Sequence, residues 1–225
     1  MKNKFFIYTF YRFKKIQKKH KIKSLLEIYL SDKLIRGTVL LADEGINGSI
    51  SASEEDLSGT IKFIKKILRI RKLDIHVNTT TFLPFNKMKI RIKKEIVSLG
   101  KGNININDKN EKFIPPSKWD SVIKDKSTKI IDVRNHFEIE IGTFKGSLNP
   151  NTTKFREFPD KLKKLHIDKS MRIAMFCTGG IRCEKASAFL RKHGYKNIVQ
   201  LDGGIIRYLN YKKKSKTKSM WNGEC

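Results

Sequence analysis

Cysteine is scarce in this sequence. Cys177, Cys183 and Cys225 are the three in a chain of 225 residues. So sparse and odd a set builds no disulfide framework, which excludes the small stapled secreted class. A structural zinc site is disfavoured too, because it calls for four ligands at C-x2-C or H-x3-H spacing, and Cys177 and Cys183 have neither that spacing nor a second pair beside them. No metal is expected. Also missing is any apolar run of the roughly 18–20 residues that spans a bilayer. The opening "MKNKFFIYTFYRFKK" is basic, but its apolar part is short and no small-residue cleavage site follows. It reads as a first strand rather than a signal peptide, and a cytoplasmic location away from membranes is expected. Acid is in deficit: 22 Asp and Glu face 49 Lys and Arg, a net charge of +27.

What is present then has to be weighed. Hydrophobic residues make up 39% of the chain, enough for a packed core and against wholesale disorder. The positive charge is not a tail. Residues 1–100 carry 22 basic against 9 acidic side chains, and residues 101–225 carry 27 against 13. Two independently basic halves point to a polyanionic partner, nucleic acid above all. Lys outnumbers Arg 38 to 11 with Ile and Asn abundant, so part of the excess is the drift that an AT-rich genome imposes.

The hydrophobic pattern divides the chain. In the first hundred residues "FFIYTFYRF" (5–13), "LIRGTVLLA" (34–42), "SIS" (49–51) and "LDIHVNT" (73–79) read as strands. Helical spacing appears at Ile22, Leu25, Leu26 and Tyr29, and again at Leu57, Ile61, Ile64, Ile67 and Leu68. The second of these helices has Ser53 as a cap and Glu54, Glu55 and Asp56 at its positive end. The order βαββαβ predicts a ferredoxin-like (acylphosphatase-like) α+β domain over 1–100. "KMKIRIKKEIVSLG" (87–100) alternates as a half-exposed strand would. The aromatic stripe of 5–13 is expected to be core, with base stacking as its alternative. "ADEGINGS" reads as a hairpin turn shaped by Gly45 and Gly48, with Asn47 tolerant of a left-handed backbone. Its alternative role is a pocket wall, with Glu44 and Asn47 near a base.

Residues 101–118 are polar, end in Pro115–Pro116 and are expected to be a linker. Beyond them "KIIDVR" (129–134), "RIAMFC" (172–177) and "NIVQLDGG" (197–204) are short apolar strands. Helices are expected at about 154–166, 182–193 and 204–211. Alternation of this kind predicts an α/β domain over 119–212, its parallel sheet covered by helices on both faces. Residues 213–225 read as a loose basic tail.

The chemistry gathers in "CTGGIRCEKA" (177–186). Cys177 ends a buried strand, where open α/β sheets bind ligands. Gly179 and Gly180 let the backbone turn with its amides inward, and a helix begins at once. Those amides, the helix terminus and Arg182 all favour a thiolate at Cys177. The C-x4-R loop is one residue shorter than the C-x5-R loop with which cysteine phosphatases wrap a phosphate, so it suits a persulfide sulfur better. Cys183 is read either as a resolving thiol or as a small buried side chain filling space. Asp132 and Arg134 are expected to form a structural ion pair, with substrate contact as the alternative. "HFE" (136–138) has the H-x-E spacing of an iron facial triad, but no further histidine stands out as the third ligand.

These residues carry a resemblance. "IIDVRNHFEIEIGTFKGSLNP" and "MFCTGGIRCEKA" resemble rhodanese domains. Together with "LLADEGINGSISAS" upstream and "IGTFKGSLNPNTTKFREFP", they resemble the bacterial tRNA uridine(34) hydroxylases over nearly the whole chain. Members commonly continue past a W-x-G-E-C segment into a further cysteine-containing tail, and this sequence ends on "WNGEC". The resemblance implies an N-terminal ferredoxin-like domain, a rhodanese domain, tRNA as partner, molecular oxygen as co-substrate and 5-hydroxyuridine as product. It implies that Cys177 is the persulfide-forming cysteine, and that Thr178, Gly179, Gly180, Ile181 and Arg182 complete its loop. No flavin, haem or other cofactor motif accompanies it. A rhodanese-type sulfurtransferase and a non-catalytic RNA-binding protein are the alternatives.

Overall fold

The computed structural model describes residues 4–102, 104, 106 and 111–224. Cys225 and part of the expected linker lie outside the described residues. The chain divides into two units, Met1–Val97 and Ser98–Cys225.

In the first unit the elements are β1 (Phe5–Phe13), α1 (Lys19–Leu30), β2 (Arg36–Ala42), β3 (Gly45–Ala52), α2 (Glu54–Leu68), β4 (Asp74–Thr80) and β5 (Met88–Ile92). The sheet order is β4-β1-β3-β2-β5. Its first four strands have the antiparallel order of a ferredoxin-like sandwich, and β5 adds to the edge parallel to β2. The 3.6-residue stripe of α2 is the reason it forms here: Leu57, Ile61, Ile64 and Leu68 are all buried against Phe10, Leu41, Ile46 and Ile50 of the sheet. Ser53 caps it by accepting the Asp56 N–H. The aromatic stripe is core as expected, with Phe10, Tyr11 and Phe13 buried.

Two readings of this unit need correction. The turn after β2 is Asp43–Glu44 alone, and Gly45 to Asn47 already belong to β3. The glycines serve close packing: a Cβ on Gly45 would sit 2.1 Å from the Arg12 carbonyl oxygen, and one on Gly48 would sit 2.7 Å from the Phe10 ring. The alternating run from 87 forms a strand only to Ile92, after which Ile96 and Leu99 turn inward.

The second unit contains β6 (Lys112–Ile114), α3 (Pro116–Lys124), β7 (Thr128–Asp132), α4 (His136–Ile141), β8 (Gly142–Phe144), α5 (Phe158–Lys163), β9 (Arg172–Phe176), α6 (Ile181–Lys192), β10 (Ile198–Leu201), α7 (Gly204–Ser215) and β11 (Trp221–Gly223). β6-β10-β9-β7 is an all-parallel sheet. Ala174 and Phe176 of β9 pack with Trp119 of α3 and Ile205 and Tyr208 of α7, while the alternate residues Ile173 and Met175 are also fully buried. Both faces of the sheet are therefore covered by helices, which explains why its strands read as unbroken apolar runs.

The segment 112–118, expected as linker, supplies β6 and the start of α3, with Pro116 in the first helical turn where a missing N–H does no harm. The expected helix at 154–166 is shorter, a 3-10 turn at Phe155–Glu157 followed by α5. The tail is not loose throughout. α7 runs to Ser215, and β11 pairs with β8 to set Trp221 edge-on to Phe144 at 5.2 Å.

Candidate active site

Cys177 is the first residue beyond β9, in the middle of the parallel sheet and at its carboxyl edge. The last four residues of β9 are buried, and the Cys177 they deliver is itself fully enclosed. Gly180 takes φ 105, ψ −33, a left-handed conformation that only glycine adopts cheaply, and this ends the loop at the N-terminus of α6. The turn aims the Gly180 N–H at Cys177 Sγ, 3.2 Å away. The loop carbonyls point elsewhere: those of Cys177 and Thr178 accept the N–H groups of Ile205 and Ile206 at 3.0 and 3.2 Å. α7 thus holds the loop from behind, and it approaches closely because residue 204 is glycine. A Cβ there would lie 2.4 Å from the Cys177 carbonyl oxygen.

Arg182 is aimed by a carboxylate from α4. Its Nη1 and Nη2 donate to the two oxygens of Glu138 at 2.6 and 2.7 Å, and Nη2 also donates to Thr178 Oγ1 at 2.9 Å. The Thr178 hydroxyl donates to Glu138 Oε1, and the Asn135 N–H donates to Glu138 Oε2. A bidentate pair of this kind fixes direction as well as charge. Burial pushes the Glu138 carboxyl upward, but its contacts with Arg182, the Asn135 N–H and the Thr178 hydroxyl together outweigh burial and hold it below the ordinary value. Arg182 is held cationic by the same contact.

The electrostatic consequence falls on the two thiols. Burial alone would push Cys177 up. The Cys183 thiol, the Arg182 charge and the N–H groups of Cys183 and Gly180 all stabilise its anion, and together they bring it from 9.0 down to about 6. Cys183, equally buried and facing that anion, is pushed well above the ordinary thiol value. At neutral pH the site therefore holds one thiolate and one thiol that donates to it.

Of the residues singled out from sequence, the loop from Cys177 to Cys183 comes together as one site. Thr178 joins the Arg182–Glu138 network, Gly179 lies between, and Ile181 opens α6. Asp132 and Arg134 form the expected ion pair. Arg134 donates Nε and Nη2 to the carboxylate at 3.0 and 2.7 Å, gives a further bond to the Gly142 carbonyl, and stacks 5.0 Å over Trp221. The "HFE" spacing does not assemble a ligand set. Glu138 is occupied with Arg182, while His136 Nδ1 meets Asn149 Nδ2 at 2.9 Å. Among the described residues no three His, Cys, Asp or Glu side chains group as metal ligands. In the first unit Glu44 and Asn47 share one partner: Glu44 Oε1 accepts the Ile96 N–H at 2.7 Å, and Asn47 Nδ2 donates to the Ile96 carbonyl at 3.0 Å. Sequence reasoning missed the role of Glu138 and of the α7 amides. The signals available were the glutamate three residues after Asn135 and the glycine pair of "LDGG".

Comparison with known proteins gives the same division. Residues 5–96 match the UPF0176 acylphosphatase like domain, and residues 116–210 match the Rhodanese-like domain. A tRNA uridine(34) hydroxylase of Pelagibacter ubique is 51% identical over 98% of this chain and 72% of its own. The protein of that name from Anaplasma phagocytophilum is 38% identical over 98% of this chain and 79% of its own. That from Prochlorococcus marinus subsp. pastoris is 48% identical, over 73% of this chain and 54% of its own.

Proposed function

Because this chain belongs to the tRNA uridine(34) hydroxylase family, we propose that it hydroxylates the wobble uridine of tRNA to 5-hydroxyuridine, with Cys177 as the reacting side chain. The overall change is that of a monooxygenase. Molecular oxygen is the co-substrate, one atom enters the base, and the other leaves as water with two electrons and two protons from a donor. tRNA as substrate puts the working enzyme in the cytoplasm. Among the described residues no helix is long and apolar enough to cross a membrane.

The observation that carries the reading is the state of Cys177. With its pKa lowered to about 6 by the Cys183 thiol, the Arg182 charge and the loop N–H groups, the sulfur favours its thiolate form at neutral pH. Around it, Arg182 supplies fixed positive charge, Glu138 and Thr178 hold that charge in place, and the loop amides offer donors to the sulfur or to an atom bound on it. Glu44 and Asn47 act in this reading through the Ile96 backbone, shaping the segment after β5.

The experiment is nucleoside mass spectrometry of tRNA from a strain lacking the protein. Wobble uridine should lose its added oxygen. Wild-type protein should restore it and Cys177→Ser should not. Unmodified wobble uridine with the intact protein, alongside brisk sulfur transfer from thiosulfate to a thiol, would make the protein a sulfurtransferase instead.

A further inference from the structure

A cavity of about 730 Å3 opens in the first unit. The segment joining β1 to α1, the first two turns of α1 and the C-terminal end of α2 form its walls. Six cationic side chains line it, Lys14, Lys15, Lys18, Lys21, Lys66 and Arg69, and no carboxylate is among the lining residues. All six are exposed, while the floor between them is apolar, from Ile22, Leu25 and Ile67. Acids nearby are already engaged: Asp43 pairs with Lys19 at 2.8 Å, and Glu27 pairs with Lys23 at 2.8 Å. The cations repel one another, and those at the start of α1 also oppose the macrodipole of a helix with no acid in its first turn. α2, in the same unit, carries three acids there. An anion in the cleft relieves both conflicts.

We propose that this cleft binds the phosphodiester backbone of tRNA, apart from the nucleotide that reacts. The proposal rests on the tRNA reading above. Three features select a nucleic-acid backbone over a small phosphorylated ligand. Sites for small ligands orient them with a few fixed polar groups, and the one neutral polar side chain in this lining is the exposed Gln17. Five of the six cations are lysines, which neutralise phosphate as point charges without demanding one geometry. They also come from three separate segments, so several phosphates along a strand can be met at once.

Lysine acylation footprinting of the full chain, read by mass spectrometry with and without tRNA, tests this. Lys14, Lys15, Lys18, Lys21 and Lys66 should acylate several-fold more slowly with tRNA bound, relative to Lys33 and Lys87 on a second cleft of the same unit. A parallel titration with Lys15→Gln, Lys18→Gln and Lys21→Gln combined should lower the slope of log affinity against log salt by about 2, at roughly 0.7 per single-strand phosphate contact. If tRNA shifts in a gel while the cleft lysines react as fast as before, or the variant keeps the wild-type slope, the cleft is not the site and the tRNA reading stands. If tRNA neither shifts nor protects at low salt, both fall. Protection by inorganic tripolyphosphate but not by tRNA would overturn the proposal in favour of a small-anion site.

Discussion

Removing the charge beside Cys177 should turn most of its thiolate back into thiol. The fall from 9.0 to about 6 corresponds to about 4 kcal/mol favouring the anion in the folded state. Arg182 is one of the main contributors, after the Cys183 thiol. Arg182→Gln alone would leave the half-buried Glu138 carboxylate without its partner, adding a second disturbance, so the cleaner perturbation is Arg182→Gln with Glu138→Gln. An opposite charge within ~4–6 Å is worth about 1–3 pKa units, so the Cys177 titration should move up by at least about one unit. Thiolate absorbance in the ultraviolet, as the difference from Cys177→Ser, reads it without needing reagent access to a buried sulfur. The sign also appears in stability. Because the folded pKa is depressed below the unfolded value, Cys177 stabilises fully above about pH 9, less as pH falls, and not at all below about pH 6. Cys183, shifted the opposite way, opposes this only where an unfolded thiol would ionise, above about pH 9. Urea unfolding of the wild type should therefore show stability rising from pH 6 to 9 by more than in Cys177→Ser. A wild-type titration near 9, or a double variant that titrates like the wild type, would show that Arg182 does not hold Cys177 as a thiolate.

Two further outcomes follow from buried groups. Arg134→Met strands the Asp132 carboxylate, which is wholly buried and retains only the Thr143 hydroxyl and one backbone N–H. It should cost about 3–5 kcal/mol in urea unfolding, and adding Asp132→Asn should recover part of that loss. Gly204→Ala forces a Cβ to within 2.4 and 2.6 Å of the Cys177 and Thr178 carbonyl oxygens at φ +64. It should cost about 1–3 kcal/mol and raise the Cys177 pKa, and an unchanged melting temperature with an unchanged titration would show that α7 does not hold the loop.

Sequence periodicity carried the elements whose packing is local. The α2 stripe, the aromatic β1 and the β9–loop–α6 unit were all legible, because each buries one regular face or runs unbroken through the sheet. What escaped depends on distant partners. β6 is three residues in a polar stretch, and it is a strand only because β10 offers it a parallel edge. Trp221 looked like part of a solvated tail, yet β8, nearly eighty positions earlier, supplies both its strand partner and the Phe144 ring. Glu138 shows the same limit inside the site. The H-x-E spacing suggested a metal, whereas its actual partner, Arg182, lies 44 positions away in sequence and is brought close by the crossover between β7 and β9.

The loop also shows how an enclosed sulfur can stay charged. Burial works against any anion, and a single donor would not overcome it. The fold answers by dividing the peptide groups of the loop: the α7 N–H groups take the carbonyls of Cys177 and Thr178, while the Gly180 and Cys183 N–H groups face the sulfur. The second cysteine completes the arrangement. Two thiols in contact cannot both ionise, so stabilising the charge on Cys177 necessarily raises Cys183, and the raised thiol keeps its proton to donate. Cys183→Ala would thus remove a donor, not a competitor, and the Cys177 pKa should rise. Had Cys183 been only a space-filling side chain, the same change would leave the titration where it was.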